Sequence, residues 1–210
     1  MKIKINQEFK EGITNYLASL NTGNDFHFLP TKNGVTETGK TLELGFSCLA
    51  LKSFFILGEW QNLSNEKKEN WANYINSFQN TNNLKFSKNS YIDENYYKNI
   101  NKTDFKKEIK RNVKKLLNRD DVKTKNTEIS EFIRAESKQA ISTLAQIGYT
   151  SKSKYQEKIF NSDVENYLIS LNWNRPWNAG AQYSGLCVFL ETQEKNTKKY
   201  ETIKQDLYDF

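Results

Sequence analysis

One phrase recurs three times along the 210 residues: "NYLASLN" at 15–21, "NYINSFQ" at 73–79 and "NYLISLN" at 166–172. In each copy a tyrosine is followed by Leu or Ile, and another apolar residue comes three places later. These triplets are Tyr16, Leu17 and Leu20; Tyr74, Ile75 and Phe78; and Tyr167, Leu168 and Leu171. Such spacing lays one apolar stripe along a helix. Ser19, Ser77 and Ser170 are small enough to let a neighbour approach. Asn21, Gln79 and Asn172 close each phrase, where a side-chain amide can bond the exposed carbonyls of a helix end. A turn and then aromatics follow every copy: Phe26 and Phe28, Phe86, and Trp173 and Trp177.

The rest of the chain suits helices. It has two prolines and nine glycines, and the alternation expected of strands is rare. Apolar periodicity predicts helices at 6–20, 41–58, 64–79, 103–118, 128–147, 153–171 and 178–193, with a short one at 197–208. Ser64 is placed to cap the third. "SDVE", Ser162 to Glu165, fits a capping box or a break within a longer helix. Gly148 suits a left-handed C-terminal cap. Segments 22–40, 80–102 and 119–127 read as loops, and the second is long enough to be either functional or poorly ordered.

Two helical stretches differ from those that carry the repeat. "LELGFSCLALKSFFIL" at 42–57 and "AGAQYSGLCVFL" at 179–190 are apolar almost all round, the pattern of a helix buried on every side. Amphipathic, repeat-bearing helices therefore alternate with apolar ones. The copies start at 15, 73 and 166, leaving room for a helix pair and then for a pair with an insertion. Repeated helix pairs stack or close into rings. The expected fold is all-α, a partial or small α/α toroid in a single domain, with an irregular helical bundle as the alternative.

At this point the residues resemble the QW motif of terpenoid cyclases and related toroids. That motif runs aromatic, Leu or Ile, three residues, Gln, a short gap, then Gly, any residue and an aromatic. "YINSFQNTNNLKF" (74–86) follows it with Asn83 for Gly and Phe86 for Trp, and "YLASLNTGNDFHF" (16–28) and "YLISLNWNRPW" (167–177) are looser copies. "FIRAESKQAISTLAQIG" (132–148) and "NWNRPWNAGAQYSGLCVFL" (172–190) also look like bacterial toroid proteins associated with surface-polysaccharide genes. The resemblance implies a toroid and a glycan-linked or isoprenoid-linked role. It does not bring a cyclase's chemistry. No D-x-D-D run is present, and "RDDVK" lacks the third carboxylate of a magnesium-binding D-D-x-x-D. With His27 alone and two cysteines, the zinc set of a protein prenyltransferase is missing as well.

Composition narrows the remaining classes. The formal net charge is +6, which would permit attraction to nucleic acid or anionic lipid, but scattered lysines are more often a solvated surface. Cys48 and Cys187 lie far apart in apolar runs and read as core residues rather than a disulfide framework. The N-terminus lacks the apolar region of a secretory signal, and residues 42–57 are too short, and interrupted by Lys52, for a membrane span. A cytoplasmic protein is the expectation. No phosphate-binding glycine loop and no G-x-S-x-G elbow occurs, and no cofactor or metal is implied.

Three stretches carry candidate function. In "WNRPWNAGAQYSG" (173–185), Trp173, Arg175, Trp177, Gln182 and Tyr183 put aromatics beside planar hydrogen-bonding groups, the equipment of a sugar site. The competing reading is that the tryptophans wedge the turn between helices. In "EFIRAESKQAISTL", Glu136 is the candidate acid or base if it faces a cavity, while Arg134 and Lys138 lie one turn apart. The competing reading is a solvated face or a buried structural ion pair. "KKEIKRNVKKLLNR" (106–119) is a basic amphipathic helix, suited to phosphate, anionic lipid or a partner helix, or packed through its apolar stripe. Without a helix-turn-helix partner, zinc ligands or RNP-like aromatics, it does not read as a nucleic-acid module. The functional expectations are a glycan-linked role, as enzyme or accessory protein; a non-catalytic scaffold for another protein; or a degenerate isoprenoid-binding toroid. The predicted ligand pocket opens at the turn ends of the apolar helices, with Trp177, Gln182 and Tyr183 in its wall and Glu136 the nearest carboxylate.

Overall fold

The computed structural model describes residues 6–24, 26–81, 86–101, 105–116 and 124–210, with the backbone alone at 100, 101, 105–108, 110 and 115. Ten α-helices occur among the described residues: α1 Gln7–Leu20, α2 Glu37–Lys40, α3 Leu44–Ile56, α4 Asn65–Ser77, α5 Glu94–Asn101, α6 Phe105–Leu116, α7 Lys125–Gln146, α8 Val164–Ser170, α9 Pro176–Phe189 and α10 Tyr200–Tyr208. Two short antiparallel strands, β1 Gln79–Asn80 and β2 Ser90–Tyr91, pair with Gln79 opposite Tyr91. The protein is all-α, as the periodicity predicts.

The longest helix, α7, organises the rest. α3 and α9 pack along it, and α4 and β2 add further contacts. The main core runs from Leu20 near the start to Leu207 near the end, and a smaller cluster gathers Ile92, Ile129 and Ile133. Trp71 of α4 anchors the first half. Phe26 and Phe28 stack on it at 5.4 and 5.6 Å between ring centroids. Its indole N–H donates to Ser47 Oγ at 2.9 Å, so the burial of this polar atom is compensated. The aromatics that follow the first repeat are therefore core anchors.

The three repeats share a local device. Ser19, Ser77 and Ser170 each donate to the carbonyl of the tyrosine three residues earlier, at 2.7 Å in every case. Each thus satisfies one of the carbonyls that a helix end leaves open. The small serines back-bond rather than admit a neighbour. Among the described residues the closing amides bond the loops that follow. Asn21 and Asn172 accept from the backbone two residues on, at Gly23 and Asn174. Gln79 reaches across to Asn89 and Ser153. Burial also differs, for Ile75 and Leu168 are buried while Leu17 is only partly so, and Tyr16 stands exposed.

Several local expectations hold. Ser64 accepts from Lys67 N at the start of α4, and Gly148 ends α7 at φ 81°, a conformation open to glycine. Others need correction. The helix expected over 153–171 is a 3₁₀ turn at Lys158–Asn161 followed by α8, because Asp163, not Ser162, caps the new helix through Asn166 N. The segment 80–102 is not one loop. It holds β2 and α5, started by Asp93, a buried carboxylate that accepts from the amides of Asn95 and Tyr96 and, on its other oxygen, of Glu43 and Leu44. One side chain thus caps two helices, α5 and α3. α2 lies within the expected loop 22–40, and α7 begins inside the expected loop 119–127, of which 119–123 falls outside the described residues. The two apolar stretches are not buried on every side, since the first exposes Leu49 and Ile56 and the second Ala181; α9 also exposes Trp177. No helix among the described residues is long and apolar enough to cross a membrane.

Candidate functional site

Leu49 of α3 and Trp177 of α9 face a groove against α7. It measures about 570 Å³, within the range of small-ligand sites. Leu49 from α3, Ala135 from α7, and Trp177, Ala181 and Gly185 from α9 give its apolar surface. Lys52, Glu131, Arg134, Lys138, Gln139, Ser142 and Gln182 supply the polar one. The α7 residues recur at three- and four-residue intervals from 131 to 142, one face of that helix.

Two of the cations lack a carboxylate partner among the described residues. Lys52 Nζ donates to Ser142 Oγ at 3.1 Å and Lys138 Nζ to Ser184 Oγ at 2.6 Å. Burial pulls the pKa of both lysines below the ordinary value, and at Lys138 the charge of Lys52 pulls further the same way. The two ammonium groups therefore repel one another in partly dehydrated surroundings. A bound anion would relieve both penalties. The aliphatic stem of Lys138 lies over Gly185, where an added methyl would sit 3.7 Å from Cδ.

Arg134, one turn before Lys138, is held differently. Its guanidinium bonds the Tyr167 hydroxyl and Gln182 Oε1, and Nε lies 3.6 Å from Glu157 Oε2. Glu157 is 3% exposed and also accepts from Tyr155 and from the amide of Ile159. Burial alone would lower the Arg134 pKa, but Glu157 and Tyr167 outweigh it and the net shift is upward. This is a buried structural ion pair whose partner lies outside the stretch "EFIRAESKQAISTL", and it closes α7, α8, α9 and the 3₁₀ turn around one charge.

Of the sequence-derived site residues, the structure brings Trp177 and Gln182 to the groove. Trp177 is 88% exposed, a ring face open to solvent. Gln182 has a double duty, since its oxygen already accepts from Arg134. Tyr183 turns the other way and donates to the Leu207 carbonyl of α10. Trp173 packs on Phe210 at 5.4 Å and donates to the Leu168 carbonyl, which is the wedge reading. Arg175 is exposed and its carbonyl accepts from the first amides of α9. Glu136 is not in the groove wall. Its Oε2 accepts from Asp93 N at 3.1 Å, and burial pushes its carboxyl up to about 8, the Asp93 amide opposing and the Asp93 charge adding. The carboxylate that does line the groove is Glu131. Sequence reasoning missed Lys52 as a site residue. Its signal was a lone cation inside an apolar helix.

Two other grooves are less suited to a ligand. One of about 480 Å³ is lined by Glu43, Tyr74 and Asp93, but Asp93 is saturated by backbone amides and Tyr74 already donates to Glu43. The other, about 630 Å³, is walled by residues of the 22–40 connection, His27 among them. Among the described residues no three His, Cys, Asp or Glu side chains converge to hold a metal ion. No protein-family model, curated protein or solved structure matches the chain.

Proposed function

We propose that the chain is a carbohydrate-binding helical protein whose groove between α3, α7 and α9 takes an acidic glycan. The observation that carries this reading is the pairing of Lys52 and Lys138, each bonded to a serine hydroxyl, beside the exposed ring of Trp177. A sugar ring stacks on an indole, amides and hydroxyls match its hydroxyl groups, and a carboxylate or phosphate on the sugar answers the two lysines. Among the described residues Glu131 is the one carboxylate of the wall, so the reading is binding rather than two-carboxylate hydrolysis. An isoprenoid would be served poorly by a wall holding Lys52, Lys138, Gln139, Ser142 and Gln182, whose desolvation nothing would repay. The α/α-toroid arrangement belongs to the same proposal, supported by the matching serine–tyrosine bonds at the three repeat ends.

A second reading, a docking site for another protein, is favoured by Leu49 and Ile56, exposed at 52% and 67% on α3. A panel of uronate-bearing and neutral oligosaccharides, read by thermal shift and by tryptophan fluorescence, separates the two. The glycan reading expects melting to rise with acidic members only and the fluorescence change to vanish in Trp177→Ala. An equal response to neutral sugars, or none to any, overturns it.

A further inference from the structure

The basic helix α6 points to a second interaction surface, independent of the groove. In its twelve residues, Phe105–Leu116, the sequence places six cations, Lys106, Lys107, Lys110, Arg111, Lys114 and Lys115, against the single carboxylate Glu108. Five of the chain's six net positive charges thus fall in this one helix. Ile109, Val113 and Leu116 lie at i, i+4 and i+7, a single face, and they are exposed at 49%, 48% and 83%. The sequence alone allowed that stripe to be packed against the core, but at these three residues it is open to water. Among the described residues, the ion pair that ties α6 to the body is Arg111–Glu128, at 2.7 Å.

We infer that α6 is an interfacial helix that lies on an anionic lipid surface, with Ile109, Val113 and Leu116 in the outer acyl region and the lysines of its sequence matching the anionic headgroups. Charge complementarity selects the occupant. A helix of this length spans about 18 Å, too short to cross a bilayer but suited to lying in its plane. A nucleic acid would engage the cations and leave the apolar face in water. An anionic bilayer satisfies both faces at once, because it presents negative headgroups above hydrocarbon.

Co-sedimentation of the full chain with vesicles tests this. The chain should bind vesicles of phosphatidylcholine with about one-third phosphatidylglycerol and should not bind phosphatidylcholine alone. Binding should weaken steeply at about 0.5 M salt. Lys106→Gln, Lys107→Gln and Lys110→Gln together should lower the partition coefficient on the order of 100-fold. Ile109→Asp with Val113→Asp should lower it by at least about tenfold, with the melting temperature kept because both side chains are exposed. No binding to the mixed vesicles overturns the inference. So does vesicle binding that Ile109→Asp with Val113→Asp leaves intact, or binding to a short DNA duplex with the lysine dependence but without the vesicle affinity.

Discussion

Arg134 and Lys138 sit one helical turn apart on α7, on the same face, and border the same groove, yet they live in opposite circumstances. Arg134 has a buried carboxylate, a tyrosine hydroxyl and an amide oxygen arranged around it. Lys138 has one serine hydroxyl and a neighbouring lysine. On the reading proposed above, the difference separates structure from function within a single helix. A cation that the fold has answered holds the fold together. A cation left half-dehydrated beside another cation costs stability unless something outside the chain answers it.

The largest expected effect lies at the answered cation. Arg134→Met removes the partner of a carboxylate that is 3% exposed and should cost about 3–5 kcal/mol of unfolding free energy, the usual penalty of leaving a buried charge alone. Double replacement of Arg134 and Glu157 by apolar residues should recover only part of that loss, because the Tyr155 hydroxyl and the Ile159 amide then lose their acceptor. Denaturant unfolding checks both, and a loss under about 1 kcal/mol for Arg134→Met would show the pair to be screened by solvent. Gln182→Met comes next. It removes one hydrogen bond to a charged group and should cost roughly 1.5–3 kcal/mol, so any ligand titration of this variant must be read beside its melting curve.

Glu136, between the two cations in sequence but turned toward Asp93, gives a smaller effect with a characteristic pH dependence. Its ordinary pKa of 4.5 is pushed to about 8 in the folded chain. The folded state therefore binds this proton more tightly than the unfolded state does. The stability associated with it is complete below pH 4.5, is lost as pH rises through 8, and stays lost above. Glu136→Gln should match the parent near pH 5 and exceed it at pH 9 by about 1–2 kcal/mol, a figure reduced from the full linkage value because the side chain is only partly buried. A stability difference that does not change between these pH values would contradict the burial of the Glu136 carboxyl.

The elements legible in the sequence were those whose determinants are local. Ser64 and Gly148 mark helix ends with their own side chain and their own φ. Trp177 and Gln182 were legible because aromatic and amide residues cluster at the head of an apolar helix. What escaped depends on distant partners. Asp93 caps α3 from 49 residues away, so no local pattern announces either that cap or the helix α5 it also starts. Arg134 finds Glu157 beyond the end of α7, just before the 3₁₀ turn, and Tyr183 and Trp173 find α10 and Phe210 at the far end of the chain. The groove itself forms because two apolar helices pack on α7 by one side only, which leaves Leu49 and Trp177 outside. All-round hydrophobicity suggested the opposite.

The central claim is that Lys138 serves a ligand and not the fold. The most direct measurement is a calorimetric titration of an oligouronate into the parent chain and into Lys138→Gln, with unfolding measured on the same samples. Lys138→Gln should stay within about 0.5 kcal/mol of the parent in stability, since the substitution also relieves repulsion with Lys52, while its affinity for the oligouronate falls about tenfold or more. Unchanged affinity, or a stability loss comparable to that of Arg134→Met, would contradict it.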